Sequence, residues 1–270
     1  MKILLFGSTG MLGSYINSYF YKKELTKINY RIVDNNFDTL EDILLEHNIN
    51  EDTCVINCIG LIPQRFDNLC KKNYFIINSM FPQKLFTICE KYGAKMIQPT
   101  TDCVFSGMES GNYTEDDYHD ETNLYGMSKS LGEPQCTVIR TSIIGKELVN
   151  KKSFLEWVLS NDGKKINGWT NHLWNGITCL EYCKIIEKII NNNLFWKGIK
   201  HIYSPTSKSK YEISMMIAKL FNLNIDIIAQ NDKFNINKTL SSKFQNEFQI
   251  NELDKQIEEL FYFDKLVYFE

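Results

Sequence analysis

The chain has 270 residues, of which 43% are hydrophobic and 13% aromatic, and its formal net charge is −3. This composition excludes a disordered chain, and the length allows one large α/β domain with or without a smaller lobe. The 30 Lys and Arg residues are offset by 33 Asp and Glu, with no basic run longer than two residues, so we expect no nucleic-acid partner.

Strands and helices are predicted to alternate along the first half of the chain. Short apolar runs predict buried strands over residues 2–6, 30–33, 54–58, 95–98 and 137–140. Helical patterns lie between them at residues 12–20, 40–47, 76–92 and 125–131. This alternation is typical of a parallel sheet with helices on both faces. We therefore expect a Rossmann-type doubly wound α/β fold.

Beyond residue 145 the pattern predicts a smaller, mainly helical C-terminal lobe, with helices at 153–159, 178–190 and 210–220. The predicted domains are residues 1–145 and 146–270, with parts of the chain crossing between the two. The acidic connection at 107–123 is either a solvated loop or a flap over a substrate. Residues 231–270 receive no predicted role.

The opening apolar run, residues 1–6, is too short for a signal peptide or a bilayer span, so we expect a cytoplasmic protein without membrane association.

The eight cysteines are scattered and are expected to be free thiols. With four histidines and no Cys-x-x-Cys we expect no metal. The equal spacing of Cys54/Cys58 and Cys179/Cys183 leaves a structural zinc site as the alternative.

A glycine-rich turn follows the first predicted strand and opens the first predicted helix. It reads Gly7-Ser8-Thr9-Gly10-Met11-Leu12-Gly13. Such glycines allow a tight turn and a close approach to a pyrophosphate, while the helix N-terminus offers N–H donors and a partial positive charge. The strand–turn–helix context favours dinucleotide binding by residues 1–145 over an ordinary turn.

Asp34, about 20 residues beyond the last of these glycines, ends the second predicted strand. A carboxylate there can accept hydrogen bonds from a ribose diol and would repel a 2′-phosphate. We therefore expect NADH to serve at least as well as NADPH, although Arg31 lies nearby. The alternative is that Asp34 is a solvated turn residue.

Tyr125 and Lys129 are four residues apart at the start of a predicted helix, so they share one face. An ammonium near a phenol is expected to lower the phenol's pKa, which suits proton transfer at a carbonyl. Thr101 follows an apolar strand at the sheet edge where ligands bind, and its hydroxyl could meet the same substrate oxygen.

These motifs together resemble the extended short-chain dehydrogenase/reductase superfamily. Within it, the dTDP-4-dehydrorhamnose reductase branch is similar in the stretches Thr101-Asp102-Cys103-Val104-Phe105-Ser106-Gly107, Tyr125-Gly126-Met127-Ser128-Lys129 and Ile139-Arg140-Thr141-Ser142. The similarity is strong over residues 1–145 and thinner beyond.

The resemblance implies a role for each matching position. Tyr125 would be the general acid, Lys129 would hold the nicotinamide ribose, and Thr101 would hydrogen-bond the substrate carbonyl. The cofactor, NADPH or NADH, would also contact the glycine turn and the stretch Asn57, Cys58, Ile59 and Gly60.

Cys103 departs from many reductases of this branch, which carry an aromatic residue there. A cysteine at this place resembles GDP-fucose synthase and bifunctional 3-epimerase/4-reductases, in which it acts as an acid beside the 4-keto group. The partner base would come from the lobe, where Lys151, Lys152 or His172 is available and Lys152 is our choice. The alternative is that Cys103 only packs beneath the site.

The substrate is expected to contact Thr101, Asp102 and Cys103 and an aromatic stretch of the lobe with Trp169, His172 and Trp174, although the tryptophans could equally be lobe core.

The implied function is NAD(P)H-dependent reduction of a UDP- or dTDP-linked 4-keto-6-deoxyhexose, with or without C3 epimerisation. The alternatives are a nucleotide-sugar epimerase, a 4,6-dehydratase that retains its cofactor, or a non-catalytic nucleotide-binding regulatory subunit. A homodimer is a possible assembly.

Overall fold

In the computed structural model, which describes residues 1–32, 36–63, 70–149, 151–245 and 247–268, strands and helices alternate through the first half of the chain. The strands are β1 (Lys2–Phe6), β2 (Leu25–Ile28), β3 (Thr53–Asn57), β4 (Lys95–Thr101), β5 (Thr137–Thr141), β6 (Ile143–Ile144), β7 (Lys165–Trp169), β8 (His172–Trp174), β9 (Ile177–Thr178), β10 (Gly198–His201), β11 (Lys208–Ser209), β12 (Asp226–Gln230) and β13 (Ile236–Asn237). The helices are α1 (Met11–Tyr19), α2 (Thr39–Glu46), α3 (Lys72–Phe75), α4 (Phe81–Lys91), α5 (Leu124–Ser130), α6 (Phe154–Leu159), α7 (Cys179–Asn191), α8 (Lys210–Leu220) and α9 (Leu253–Tyr268). A π-helical stretch, Ile76–Met80, precedes α4, and a 3₁₀ turn, Asp102–Val104, follows β4.

The central sheet is parallel, with the strand order β10-β5-β4-β3-β1-β2. Successive side chains of β1 point to opposite faces, so Ile3 and Leu5 enter one apolar core and Leu4 and Phe6 enter the other. Helices α1 and α7 cover the first core, and α2 and α4 cover the second. The predicted doubly wound α/β fold is confirmed.

The strand order changes direction between β1 and β3, whose last residues, Phe6 and Asn57, lie opposite each other in register. In open parallel sheets, ligands bind in the crevice outside the carboxyl ends of the strands at such a point. This edge therefore locates the candidate site.

The second strand differs from its prediction. Pairing of Ile3 with Leu25 places β2 at residues 25–28, whereas the prediction was 30–33, of which Val33 lies outside the described residues. β2 is an edge strand with only Ile28 buried, so it lacks the apolar run that marks a buried strand. Tyr30 belongs to the apolar run that predicted a strand at 30–33. Its ring instead stacks on Phe81, with the two ring centroids 5.6 Å apart.

The lobe contains the predicted helices α6 and α8 and several short strand pairs that the helical patterns did not include. β7 pairs with β12, β6 with β9, and β8 with both β11 and β13. The chain also crosses back, since β10 joins the central sheet beside β5 and α7 packs against α1. The domain division at residue 145 remains a proposal.

Among the described residues, no helix combines the length and apolar character needed to cross a bilayer. All eight cysteines are free thiols.

Candidate active site

The glycine turn after β1 owes its shape to two of its three glycines. Gly7 has φ +73°, and a Cβ there would lie 2.6 Å from the carbonyl carbon of Cys58. A Cβ on Gly13 would lie 2.1 Å from the carbonyl oxygen of Gly7. A Cβ on Gly10 would lie no closer than 3.5 Å to a neighbouring atom, and Gly10 directly precedes α1. Gly7 thus lets the turn approach the segment after β3, and Gly13 lets α1 approach the end of β1, while Gly10 keeps the helix N-terminus open.

The N-terminus of α1 opens into a cleft of about 430 Å³ at the carboxyl edge of the sheet. Of the residues predicted to hold a cofactor, the cleft is lined by Gly10, Met11, Leu12, Asn57, Cys58, Ile59 and Gly60, together with Tyr125 and Lys129. Ser8 and Thr9 lie in the turn between Gly7 and Gly10. Asp34 lies outside the described residues. Free N–H groups at a helix N-terminus suit an anion such as a pyrophosphate.

The turn after β3 forms the neighbouring wall. The Asn57 side chain donates to the Gln98 Oε1 (2.8 Å) and accepts the Ile59 N–H (3.0 Å), which fixes residues 57–60. Gly60 lies against the Lys129 side chain, and a Cβ there would lie 2.9 Å from its Nζ. A glycine at position 60 therefore leaves the space in which the ammonium sits.

Thr101 ends β4 and begins the 3₁₀ turn. Its hydroxyl donates to the Asp102 Oδ1 (3.1 Å) and accepts the Cys103 N–H (3.1 Å). Asp102 is buried beneath the turn, where desolvation raises the pKa of its carboxyl. Cys103 lines the cleft, and burial together with the Asp102 charge raises the pKa of its thiol to about 12. Thr101 and Cys103 thus face the cleft, whereas Asp102 supports them from below.

Helix α5 brings Tyr125 and Lys129 to this turn. Its N-cap residue, Asn123, accepts the Gly126 N–H at 2.9 Å. A Cβ on Gly126 would lie 2.4 Å from the Cys103 carbonyl oxygen, so only glycine permits this approach of α5 to the 3₁₀ turn. Tyr125, Lys129 and Thr101 consequently line one cleft.

The pKa of the Tyr125 phenol is raised, contrary to the expectation that Lys129 would lower it. Desolvation is the largest cause, and a hydrogen bond with Thr101 opposes it. Desolvation also lowers the pKa of Lys129 to about 8. Tyr125 is therefore a neutral phenol at neutral pH, able to donate a proton.

Asn78, in the π-helical stretch, is a contributor that the sequence did not reveal. Its amide donates to the Leu61 carbonyl (2.9 Å) and the Ser128 Oγ (3.0 Å), and it accepts the Leu61 N–H (2.8 Å). It thus ties the loop after Gly60 to α5. The apolar pattern at 76–92 predicted an uninterrupted helix and hid this π-helical insertion, a feature frequent at functional sites.

Trp169 lies in the lobe at a second cavity of about 460 Å³, lined also by Trp157 and Lys210. Phe154 lines both this cavity and the cleft, so the two adjoin. Three aromatic side chains and an ammonium therefore line a space next to the candidate site.

The structure does not bring every predicted site residue into the cleft. The His172 Nε2 lies 2.8 Å from the Asp232 Oδ2, and Trp174 packs on the apolar core. Lys152 is exposed, and its backbone N–H donates to the Glu147 Oε2 (2.6 Å). Of the described residues that line the cleft, none is Lys151, Lys152 or His172. Lys238 does line it, although its segment received no predicted role.

The fold is a doubly wound α/β sheet whose carboxyl edge carries a glycine-rich turn and a Thr, Tyr and Lys constellation. Residues 1–168 match the family described as RmlD substrate binding domain, and the chain belongs to this family.

Two curated relatives are dTDP-4-dehydrorhamnose reductases. The Mycobacterium tuberculosis protein (strain ATCC 25618 / H37Rv) is 24% identical over 164 residues, covering 55% of this chain and 53% of the relative. The Aggregatibacter actinomycetemcomitans protein is 27% identical over 157 residues, covering 53% and 52%. The match thus spans about half the length of these curated relatives.

A crystal structure of dTDP-4-dehydrorhamnose reductase from Bacillus anthracis str. Ames in complex with NADP is similar over 97% of this chain and 98% of that chain. The TM-score is 0.81 at 18% sequence identity. At this identity the likeness supports the fold alone.

Proposed function

We propose that this protein is an NAD(P)H-dependent reductase that acts on the 4-keto group of a nucleotide-linked 6-deoxyhexose. The observation that carries the proposal is the meeting of Thr101, Tyr125 and Lys129 in one cleft with the open N-terminus of α1. A phenol, a hydroxyl and an ammonium beside a dinucleotide-binding turn are the groups that carbonyl reduction needs.

The residues present fit a nicotinamide cofactor. Gly10 leaves the N-terminus of α1 open to a pyrophosphate, and Gly60 leaves space for the Lys129 ammonium, which would hold ribose hydroxyls. The bound cofactor would supply the hydride. The NADP in the B. anthracis structure supports NADPH, and NADH remains the other candidate.

Tyr125 would give its proton to the substrate oxygen as the carbon is reduced. Its raised pKa keeps the phenol protonated until that moment, and the Thr101 hydroxyl would orient the oxygen. Lys129, whose pKa of about 8 leaves it mostly charged at pH 7, would stabilise the phenolate that remains.

The adjoining cavity supports a nucleotide-linked substrate. Trp157 and Trp169 can stack on a base, and the Lys210 ammonium can pair with a phosphate. The relatives' name favours a dTDP-linked sugar, and a UDP-linked sugar is the alternative.

Incubation with NADH or NADPH and a panel of dTDP-, UDP- and GDP-linked 4-keto-6-deoxyhexoses tests the proposal. We expect loss of reduced-cofactor absorbance with at least one sugar of the dTDP or UDP series. Oxidation with none of them would contradict reduction. Turnover without net cofactor use would instead favour an epimerase or a 4,6-dehydratase that retains its cofactor.

Epimerisation beside the keto group is a second candidate activity, because the Cys103 thiol lines the cleft next to Tyr125. Epimerisation requires a base to take a proton from the carbon beside the carbonyl and an acid to return one to the other face, and the neutral Cys103 thiol can act as that acid. We expect product made in D₂O to carry carbon-bound deuterium next to C4, and Cys103→Ser to remove that label while leaving reduction largely intact. Unlabelled wild-type product would restrict the protein to reduction.

A further inference from the structure

Lys238 brings a positive charge into the cleft from the strap, which we define as residues 236–243. Its ammonium lies 3.5 Å from the Glu121 Oε2, and its side chain is 20% exposed. Thr101 and Cys103 line the same cleft.

The strap is held from two sides. Strand β13 pairs with β8 of the lobe, and the Lys238 N–H donates to the Leu173 carbonyl at 3.2 Å. On the other side, the Asn237 N–H donates to the Gly107 carbonyl (2.7 Å), and the Tyr113 N–H donates to the Thr239 carbonyl (2.9 Å). The backbone that carries Lys238 is therefore fixed between the lobe and the acidic connection 107–123.

Gly107 leaves room for the Lys238 stem. It has φ +79°, and a Cβ there would lie 2.8 Å from the Lys238 Cγ and 3.3 Å from its Cε. The lysine side chain thus crosses the start of the acidic connection on its way to the cleft.

The Lys238 charge acts on the turn that carries Thr101. It lowers the pKa of both Asp102 and Cys103, although burial of these groups outweighs it. The 3.5 Å separation from Glu121 is longer than a hydrogen bond, and an ammonium has three donors. Lys238 can therefore donate to a ligand while it keeps this ion pair.

We infer that Lys238 recognises an oxygen substituent on the sugar carbon next to the reacting carbonyl. The inference rests on the proposed function, which places that carbonyl at Thr101 and Tyr125. Groups on the adjacent carbons are the substituents closest to that carbonyl, and Lys238 lines the same cleft as Thr101, Cys103 and Tyr125. An ammonium favours an acceptor there, such as a hydroxyl or an amide carbonyl, and repels a charged amino group.

The test compares Lys238→Met and Lys238→Arg with a matched control, Lys243→Met. Lys243 lies on the same strap and pairs with Asp116 away from the cleft. We expect Lys238→Met to raise the KM for the sugar nucleotide about 10- to 100-fold, the effect of one lost charged hydrogen bond. The change in kcat and in cofactor KM should be much smaller. Lys238→Arg should recover part of the loss, and Lys243→Met should behave as wild type.

An unchanged sugar-nucleotide KM in Lys238→Met overturns the inference. If the Tm falls at the same time, Lys238 serves only to offset the buried Asp102 charge.

Wild-type protein that reduces no sugar nucleotide refutes the proposed function instead, and alkylation of Cys103 then tests Lys238 without substrate. Iodoacetamide modification, located by peptide mass spectrometry, should be slower in Lys238→Met than in Lys243→Met, since loss of the ammonium raises the thiol pKa further. Slower modification supports a cation facing the cleft, and equal rates refute it.

Discussion

At the scale of single residues, the chemistry depends on protonation states that burial decides. The Tyr125 phenol and the Cys103 thiol are both held neutral, because desolvation penalises their charged forms. Lys129 experiences the same desolvation, which lowers its pKa toward neutrality. The cleft therefore holds these two proton donors beside two cations, Lys129 and Lys238.

Replacing Tyr125 by Phe should remove the proton donor and leave the shape of the cleft intact. We expect reduction to fall by about two to four orders of magnitude, the usual contribution of general acid catalysis, with cofactor binding retained. Steady-state kinetics and cofactor titration measure the two effects. Tyr118→Phe is the control, since Tyr118 is 85% exposed. Near-normal turnover in Tyr125→Phe would remove this residue from the mechanism.

At the scale of elements, glycines and one amide set how closely the reactive segments approach. Gly126 lets α5 touch the 3₁₀ turn, and Gly132, whose Cβ would lie 1.7 Å from the Asn78 carbonyl oxygen, lets the end of α5 touch the π-helical stretch. The Asn78 amide then joins Leu61 to Ser128. These contacts hold Lys129 over Gly60.

Asn78→Ala should uncouple α5 from the loop after β3. Leaving the buried Leu61 and Ser128 groups unpaired should cost about 2–4 kcal/mol of unfolding free energy. It should also lower kcat, because Lys129 loses its support. Denaturant unfolding and kinetics measure both. Gln83→Ala is the control, since the exposed Gln83 side chain also joins α4 to α5, donating to the Leu131 carbonyl at 3.4 Å. Equal effects of the two variants would contradict a special role for Asn78.

At the scale of the whole molecule, a buried cation joins the sheet, α5 and the acidic connection. Arg140 forms two hydrogen bonds to Glu133 and contacts the Nε2 atoms of His201 (2.9 Å) and His119 (2.8 Å). Because Arg140 can only donate, both histidines accept through Nε2 and are neutral. The His119 Nδ1 then donates to Ser130 of α5 (2.5 Å).

This network predicts acid lability. Burial and the Arg140 charge lower the pKa of His201 to about 4, below its ordinary value of 6.5. Between pH 6.5 and 4 the unfolded chain therefore binds a proton that the folded chain does not bind. The free energy of unfolding is thus highest above pH 6.5 and falls as the pH drops toward 4. We expect a loss of roughly 3 kcal/mol across this window.

Denaturant unfolding at pH 7.5, 6 and 5 measures this slope. In His201→Gln the slope should become shallower, although stability at pH 7.5 is lower because one acceptor of Arg140 has changed. His47→Gln, outside the network, should keep the wild-type slope. An identical slope in His201→Gln and wild type would assign the acid lability to other groups.

The sequence by itself predicted the central strands of the sheet, the helices that cover it and the groups that approach one another through short spacings, but not the edge strand β10. Gly7, Gly10 and Gly13 share one turn, and Tyr125 and Lys129 share one helix face, because local backbone geometry relates residues a few positions apart. Thr101 was found because parallel strands end at a common edge. The edge strand β2 was misplaced, since it buries too little to show an apolar pattern.

Only the tertiary structure decided which distant residues complete the cleft. Lys238 and Cys103 line the same cleft although 135 positions separate them in the chain. Asn78 forms a hydrogen bond with Ser128, which lies 50 positions away. No periodicity marks either residue, since such contacts depend on how the strap and the π-helical stretch pack. The same reason explains Lys152, which matched a chemical expectation but lies exposed outside the cleft. The chemistry of each side chain is known from the sequence, whereas contacts between residues of separate elements depend on how the whole fold packs.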